Sequence, residues 1–67
     1  MTVNEAQELA ERAIRSAPMT ARQAEDVIDA FRTCLELTCT TVEHKLRWCE
    51  RVRVEYEARA NGSSKRS

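Results

Sequence analysis

Apolar residues recur at intervals of three and four between residues 24 and 56 of this 67-residue chain. The spacing places their side chains on one face of an α-helix. The sequence therefore predicts a long amphipathic helix whose apolar face forms a core or dimer seam. The residues of this stripe are Ala24, Ile28, Phe31, Leu35, Cys39, Val42, Leu46, Cys49, Val52 and Tyr56.

Two helix starts carry the capping-box pattern, in which a Thr is followed three residues later by Glu or Gln. Thr2 pairs with Glu5, and Thr20 pairs with Gln23. In this arrangement each side chain hydrogen-bonds to a backbone N–H group of the other residue. Pro18 ends the first helix, because the residue before a proline is pushed out of the helical region. We expect helices over about 3–16 and 21–60.

The segment from Leu37 to Val42 is the weakest part of the predicted long helix. It contains several β-branched residues, which lower helix propensity. A kink or a short strand is the alternative there. Because the apolar stripe keeps its face on both sides of this segment, the sequence favours one continuous helix that ends near Asn61 and Gly62.

The lengths of the two predicted helices then suggest self-association. A helix of 40 residues spans about 60 Å, whereas one of 14 residues spans about 20 Å. The short helix would cover only the first third of the long one, so the stripe from Cys39 onward would need a second chain. The predicted fold is an all-α helical hairpin over residues 1–60 that forms an antiparallel homodimer, followed by a disordered basic tail over 61–67.

Composition and charge agree with an all-α interpretation. Hydrophobic residues make up 42% and charged residues 33%, with one Gly and one Pro, which is typical of a helical, coiled-coil-like chain. Residues 1–36 carry four arginines and seven carboxylates, whereas residues 37–67 carry seven basic and four acidic side chains. This asymmetry favours antiparallel pairing of two chains.

The three cysteines and the absence of long apolar runs bear on the cellular setting. An odd number of cysteines without a signal-peptide pattern indicates thiols in a reducing compartment. No run approaches the roughly 20 apolar residues that span a bilayer. We therefore expect a cytoplasmic protein that does not insert into membranes.

Catalytic and metal chemistry find little support in the sequence. Cys39, His44 and Cys49 are spaced five apart, so a single helix cannot direct all three toward one metal ion. The same geometry opposes a Cys–His nucleophile. We expect no enzyme activity, no cofactor and no metal, with the cysteines acting as small core residues.

A second strip lies beside the apolar stripe and is the predicted partner-binding surface. It contains Leu37, Thr41, His44 and Trp48, with Arg47 and Arg51 adjacent. Tryptophan is enriched at interface hot spots. The alternative is a wider core, in which helix one of the partner chain lies over Trp48.

Three functional hypotheses follow. The leading one is a non-enzymatic dimer that binds a larger protein, such as a host regulator, and inhibits or sequesters it. Small helical dimers of this size occur among phage- and plasmid-encoded proteins of that type, which is an association of size and class alone. The second is RNA or DNA binding through Arg47, Arg51, Arg53, Arg59 and the tail, which the interleaved glutamates oppose. The third is a purely structural coiled-coil subunit.

Overall fold

The computed structural model describes the backbone of residues 1–65 and the side chains of residues 1–62. The described residues form three α-helices, α1 (Val3–Ser16), α2 (Ala21–Leu37) and α3 (Val42–Lys65), and contain no strand. The all-α prediction is confirmed. The two-helix hairpin is wrong, because the predicted long helix is divided into α2 and α3.

Both predicted capping boxes form, and they set the starts of α1 and α2. The Thr2 hydroxyl accepts from the Glu5 amide, and the Glu5 carboxylate accepts from the Thr2 amide. Thr20 and Gln23 make the same pair of hydrogen bonds. These contacts satisfy amide groups that have no partner within the first turn of a helix.

The chain leaves the helical path between Leu37 and Val42. The carbonyl of Cys34 accepts from the amides of both Thr38 and Cys39, which closes the end of α2. The Thr41 hydroxyl then accepts from the His44 amide and caps the start of α3. The low helix propensity of this threonine-rich segment, together with the capping capacity of Thr41, explains the break. The predicted continuous helix over 21–60 is therefore corrected to two helices.

The three helices run alternately up and down. Arg15 contacts Glu25 and Glu11 contacts Arg32, so α1 and α2 are antiparallel. Ala6 lines a groove with Leu46, whereas Ala13 lines a groove with Glu57 near the other end, so α1 and α3 are parallel. Helix α1 packs more extensively on α3 than on α2. The start of α1, the end of α2 and the start of α3 thus lie at the same end of the bundle.

The apolar stripe forms much of the core of this bundle. Six of its members are buried, namely Ala24, Ile28, Phe31, Leu35, Cys39 and Cys49, and they cluster with Ala6, Ala10 and Ile14 of α1. Leu46, Val52 and Tyr56 are partly buried against that cluster. Because α3 folds back along α1, the stripe beyond Cys39 finds cover within the chain. The unequal lengths of the predicted helices therefore no longer require a second chain to cover the stripe.

Two predicted positions are corrected by the structure. Val42 is 63% exposed and lies outside the core, because it is the first residue of α3 and precedes the turns that contact α1. Helix α3 also continues through Asn61 and Gly62 to Lys65, beyond the predicted end at residue 60. Gly62 does not adopt a positive φ, so it does not form the left-handed cap that the sequence suggested. Within the predicted disordered tail, residues 61–65 are therefore helical, and Arg66 and Ser67 lie outside the described residues.

Candidate interaction surfaces

The predicted partner-binding strip does not form one continuous surface. Leu37 ends α2, Thr41 lies in the connecting turn, and the other members lie on α3. Leu37, Thr41 and His44 are exposed. Since the chain reverses direction between α2 and α3, the helical spacing that joined Leu37 to Trp48 no longer applies.

Trp48 belongs to the margin of the core. Its side chain is partly buried and packs against the core cluster. Its indole Nε1 is buried, and no described residue accepts a hydrogen bond from it. Trp48 is therefore not a fully exposed docking residue, because its own chain covers part of the side chain. A Trp48 substitution would therefore disturb packing as well as any surface function.

One end of the bundle concentrates exposed apolar side chains. Met1, Leu37 and Val42 are 79%, 78% and 63% exposed. All three lie at the end where α1 begins, α2 ends and α3 begins. The fourth exposed large apolar residue among the described side chains, Val54, lies farther along α3. We call the surface formed by Met1, Leu37 and Val42 the apolar end.

A groove between α1 and α3 opens next to the apolar end. It is lined by Met1, Ala6 and Leu46, with Glu50 and Arg53 at its rim. The charged residues of this groove border its apolar ones. The apolar end therefore combines exposed side chains with a neighbouring concave surface, which is the usual composition of a protein contact site.

The outward face of α3 carries two arginines that form no ion pair among the described residues. Arg47 and Arg51 are exposed and lie one turn apart, next to Val54. In contrast, Arg53 pairs with Glu50 and Glu57. Two of the four predicted nucleic-acid arginines are therefore available for a partner in the described structure, since Arg59 is also engaged.

Arg59 is held by its own helix. It contacts Glu55 at 3.2 Å, and its guanidinium lies 4.6 Å from the centre of the Tyr56 ring. These contacts partly neutralise the basic face that the sequence suggested.

A buried carboxylate joins α1 to α2. Arg32 donates two hydrogen bonds to Glu11, at 3.1 and 2.9 Å, and Gln7 donates a third at 2.9 Å. Hydrogen bonding from Arg32, supported by Gln7 and the nearby positive charge, lowers the pKa of Glu11. Arg32 reaches Glu11 from α2, whereas Gln7 lies on α1 itself, so the Arg32–Glu11 pair is a structural cross-link between the two helices.

The cysteines and His44 do not come together. Cys39 and Cys49 are buried in the core, whereas His44 is exposed on α3. Burial raises the pKa of the Cys49 thiol, with smaller contributions from Cys39 and Glu11, and a protonated thiol is a poor nucleophile and a poor metal ligand. Among the described residues, no group of three His, Cys, Asp or Glu side chains is placed to hold a metal ion.

Sequence reasoning missed two members of the apolar end. The spacing of the apolar stripe predicts Val42 in the core, and Met1 lies outside the stripe. The signal for Val42 was its position directly after Thr41, since a threonine before an amphipathic run is a helix start. A helix that starts there places Val42 at an end of the bundle, where coverage by neighbours is least.

Comparison with protein-family models, curated proteins and solved structures found no match to this chain. Within the described residues, no helix has both the length and the apolar character needed to cross a membrane.

Proposed function

We propose that this chain is a non-enzymatic protein-interaction module that binds a larger protein through the apolar end and modulates it. The observation that carries the proposal is the concentration of Met1, Leu37 and Val42 at one end of the bundle. Scattered exposed apolar residues are normal on a protein surface, whereas a local concentration marks contact sites.

The surroundings of the apolar end support a protein partner. The adjoining groove offers Ala6 and Leu46 to an apolar side chain, and Glu50 and Arg53 offer both charge signs at its rim. This mixture matches the apolar centre and polar rim of protein interfaces. Leu37 and Thr41, two residues of the predicted partner-binding strip, belong to this corner of the molecule.

Affinity capture from the cells that encode the protein tests the proposal. The bait is the full chain, compared with the double variant Leu37→Ser/Val42→Ser and with Val54→Ser. Val54 is a matched control, since it is an exposed valine away from the apolar end. We expect a partner that wild type and Val54→Ser retain, and more than about tenfold less of it on the double variant, because interface apolar residues carry much of the binding free energy.

Two controls define the opposite outcome. Circular dichroism spectra and melting temperatures should agree among the three baits, because the substituted side chains contribute little to the core. Equal recovery of the same proteins on all three baits would show that the apolar end is not the contact surface. Capture at raised salt separates this apolar contact from electrostatic association.

Nucleic-acid binding is the alternative function, and the described surface supports it less. Arg53 and Arg59 are engaged by glutamates, and Glu43, Glu50 and Glu55 interrupt the basic face of α3. Carboxylates interleaved with arginines repel phosphates. A salt-sensitive RNA or heparin shift that Arg47→Glu removes would favour this alternative.

A further inference from the structure

The break between α2 and α3 brings two cysteines close together. Cys34 lies in the last turn of α2, and Cys39 is the second residue after that helix. In a continuous α-helix, α-carbons five residues apart are separated by about 8–9 Å, and their side chains point in different directions. This separation exceeds the limit of about 7 Å for a disulfide bond. A continuous helix would therefore keep these two thiols apart.

The turn that ends α2 removes this obstacle. The Cys39 amide donates to the Cys34 carbonyl across 3.2 Å. With this hydrogen bond in place, the bond lengths of the two peptide units limit the separation of the two α-carbons to at most about 7 Å. Cys39 also lies in the connection between the helices, where a small rotation of the backbone does not disrupt a helix. The two residues are therefore within bridging distance of each other.

The thiols differ in their access to solvent. Cys34 is partly exposed, whereas Cys39 is 2% exposed and belongs to the core cluster. Cys49 belongs to the same cluster and is 0% exposed, so a dissolved oxidant reaches Cys34 first. An accessible cysteine next to a second, resolving cysteine is a common arrangement at redox-sensitive sites.

We propose that Cys34 and Cys39 are a modification site, at which reaction with a low-molecular-weight disulfide such as oxidised glutathione produces an internal disulfide bond. The Cys34 thiolate attacks one sulfur of oxidised glutathione and releases one glutathione thiolate. The Cys39 thiolate then attacks the Cys34 sulfur of the mixed disulfide and releases the second glutathione. The two cysteines lose two protons and two electrons, and the glutathione disulfide takes them up as two thiols.

The bond acts on the apolar end. Leu37 lies within the ring that a Cys34–Cys39 disulfide closes, and Val42 follows three residues after Cys39. Disulfide geometry brings the two β-carbons to about 3.8 Å, which tightens the turn that carries Leu37. Oxidation therefore moves Leu37 relative to Val42 and weakens the contact with a partner. Formation of the bond does not depend on the function proposed above, whereas its effect on a partner rests on that function.

Tryptic mapping of the full chain after incubation with oxidised glutathione in native buffer tests the bond. Cleavage after lysine and arginine places Cys34 and Cys39 in one peptide, 33–45, and Cys49 in another, 48–51. We expect the first peptide to be lighter by two hydrogen atoms, and Cys49 to remain a free thiol. A cross-link between the two peptides, a lasting glutathione adduct on Cys34, a disulfide between two chains or three unmodified thiols would overturn the proposal.

Two comparisons show whether the fold selects this pair. In urea, Cys49 should react as readily as the other two cysteines, because burial no longer protects its thiol. Cys39→Ala should stop at the glutathione adduct on Cys34, which identifies Cys39 as the resolving thiol. The wild-type map identifies the bonded pair even where this variant folds poorly. Equal reactivity of all three thiols in native buffer would contradict selection by the fold.

Capture with reduced and oxidised bait tests the effect on the apolar end. Oxidised wild type should recover at least about fivefold less partner than reduced wild type, which is the effect of displacing one hot-spot side chain. Cys34→Ser, treated with the same oxidant, should recover as much partner as the reduced wild type. Equal recovery on both wild-type baits, with the disulfide present, would overturn the effect on the partner. A negative tryptic map concerns the cysteines alone, whereas failure to capture any partner concerns the proposed function alone.

Discussion

The inner faces of α1 and α2 fill the core with side chains of different size. Helix α1 buries mainly alanines, at positions 6, 10 and 13, with Ile14 as its large apolar side chain. Helix α2 buries Ala24 followed by three large residues, Ile28, Phe31 and Leu35. Alanines let α1 approach α3 closely, whereas α2 reaches the core through long side chains.

The same difference appears in what holds each pair of helices together. The α1–α3 contact is built on close approach of small residues and is the more extensive of the two. The α1–α2 contact adds the Glu11–Arg32 cross-link and the Arg15–Glu25 pair. Close packing tolerates no added volume, whereas the α2 side chains tolerate no loss of volume. Substitutions that remove volume should therefore destabilise the fold most on α2, and substitutions that add volume should destabilise it on α1.

The largest expected effect comes from removing volume on α2. Ile28 is 1% exposed, so Ile28→Ala should leave a cavity and lower the free energy of unfolding by about 2–5 kcal/mol. In a domain of this size, that loss is most of the typical stability. Urea unfolding followed by circular dichroism measures the free energy of unfolding. A smaller loss for Ile28→Ala than for Ala10→Leu would contradict the difference that we propose between α2 and α1.

Adding volume on α1 should come next. Ala10 is 0% exposed, and Ala10→Leu should cost about 1–3 kcal/mol of stability by overpacking the close contact with α3. Ala30 is exposed on the outer side of α2 and provides the control. Ala30→Leu should change the free energy of unfolding little, since Leu and Ala have similar helix propensities. Equal effects of the two leucine substitutions would show that α1 and α3 do not approach closely.

The polar cross-link should have the smallest effect and a characteristic pH dependence. Glu11→Gln should cost about 1 kcal/mol, at the lower end for a charged hydrogen bond because the Arg32 side chain is half exposed and screened. The pKa of Glu11 is lowered in the folded chain, so its contribution is fully present above the unfolded-state pKa and is lost as pH falls through the folded-state value.

Unfolding titrations across that acidic range provide the measurement. The stability difference between wild type and Glu11→Gln should shrink as the carboxylate is protonated. Glu8→Gln is the control, since Glu8 is exposed on the same helix and forms no ion pair in the described structure. If the stability difference between wild type and Glu11→Gln stays constant with pH, the charged hydrogen bond is not its cause.

The starts of α1 and α2 could be predicted because their signals are local. Thr2 with Glu5 and Thr20 with Gln23 satisfy their own backbone amides, and Pro18 stops α1 without help from the rest of the chain. The buried members of the stripe, such as Ile28 and Phe31, follow from periodicity in the same way. These features depend on contacts within a few residues of each other.

The break before α3 could not be predicted from the same periodicity. Leu35 and Cys39 are four residues apart, a spacing that fits a continuing helix, yet they meet in the core on either side of the end of α2. Thr41 carries a capping signal for a new helix, but the apolar spacing continues through it unbroken. The same continuous spacing puts Trp48 on one strip with Leu37, which holds only for two residues on one helical axis.

The sequence alone determined that the chain is all-α, where α1 and α2 begin, and which residues of α1 and α2 are apolar enough to be buried. Tertiary structure decided that the stripe folds back on α1 and that Val42 lies outside the core. It also decided that Trp48 lies at the margin of the core. The physical reason is that capping and amphipathicity are local properties, whereas the choice between a continuous helix and a turn depends on the burial that α3 gains by packing against the alanines of α1.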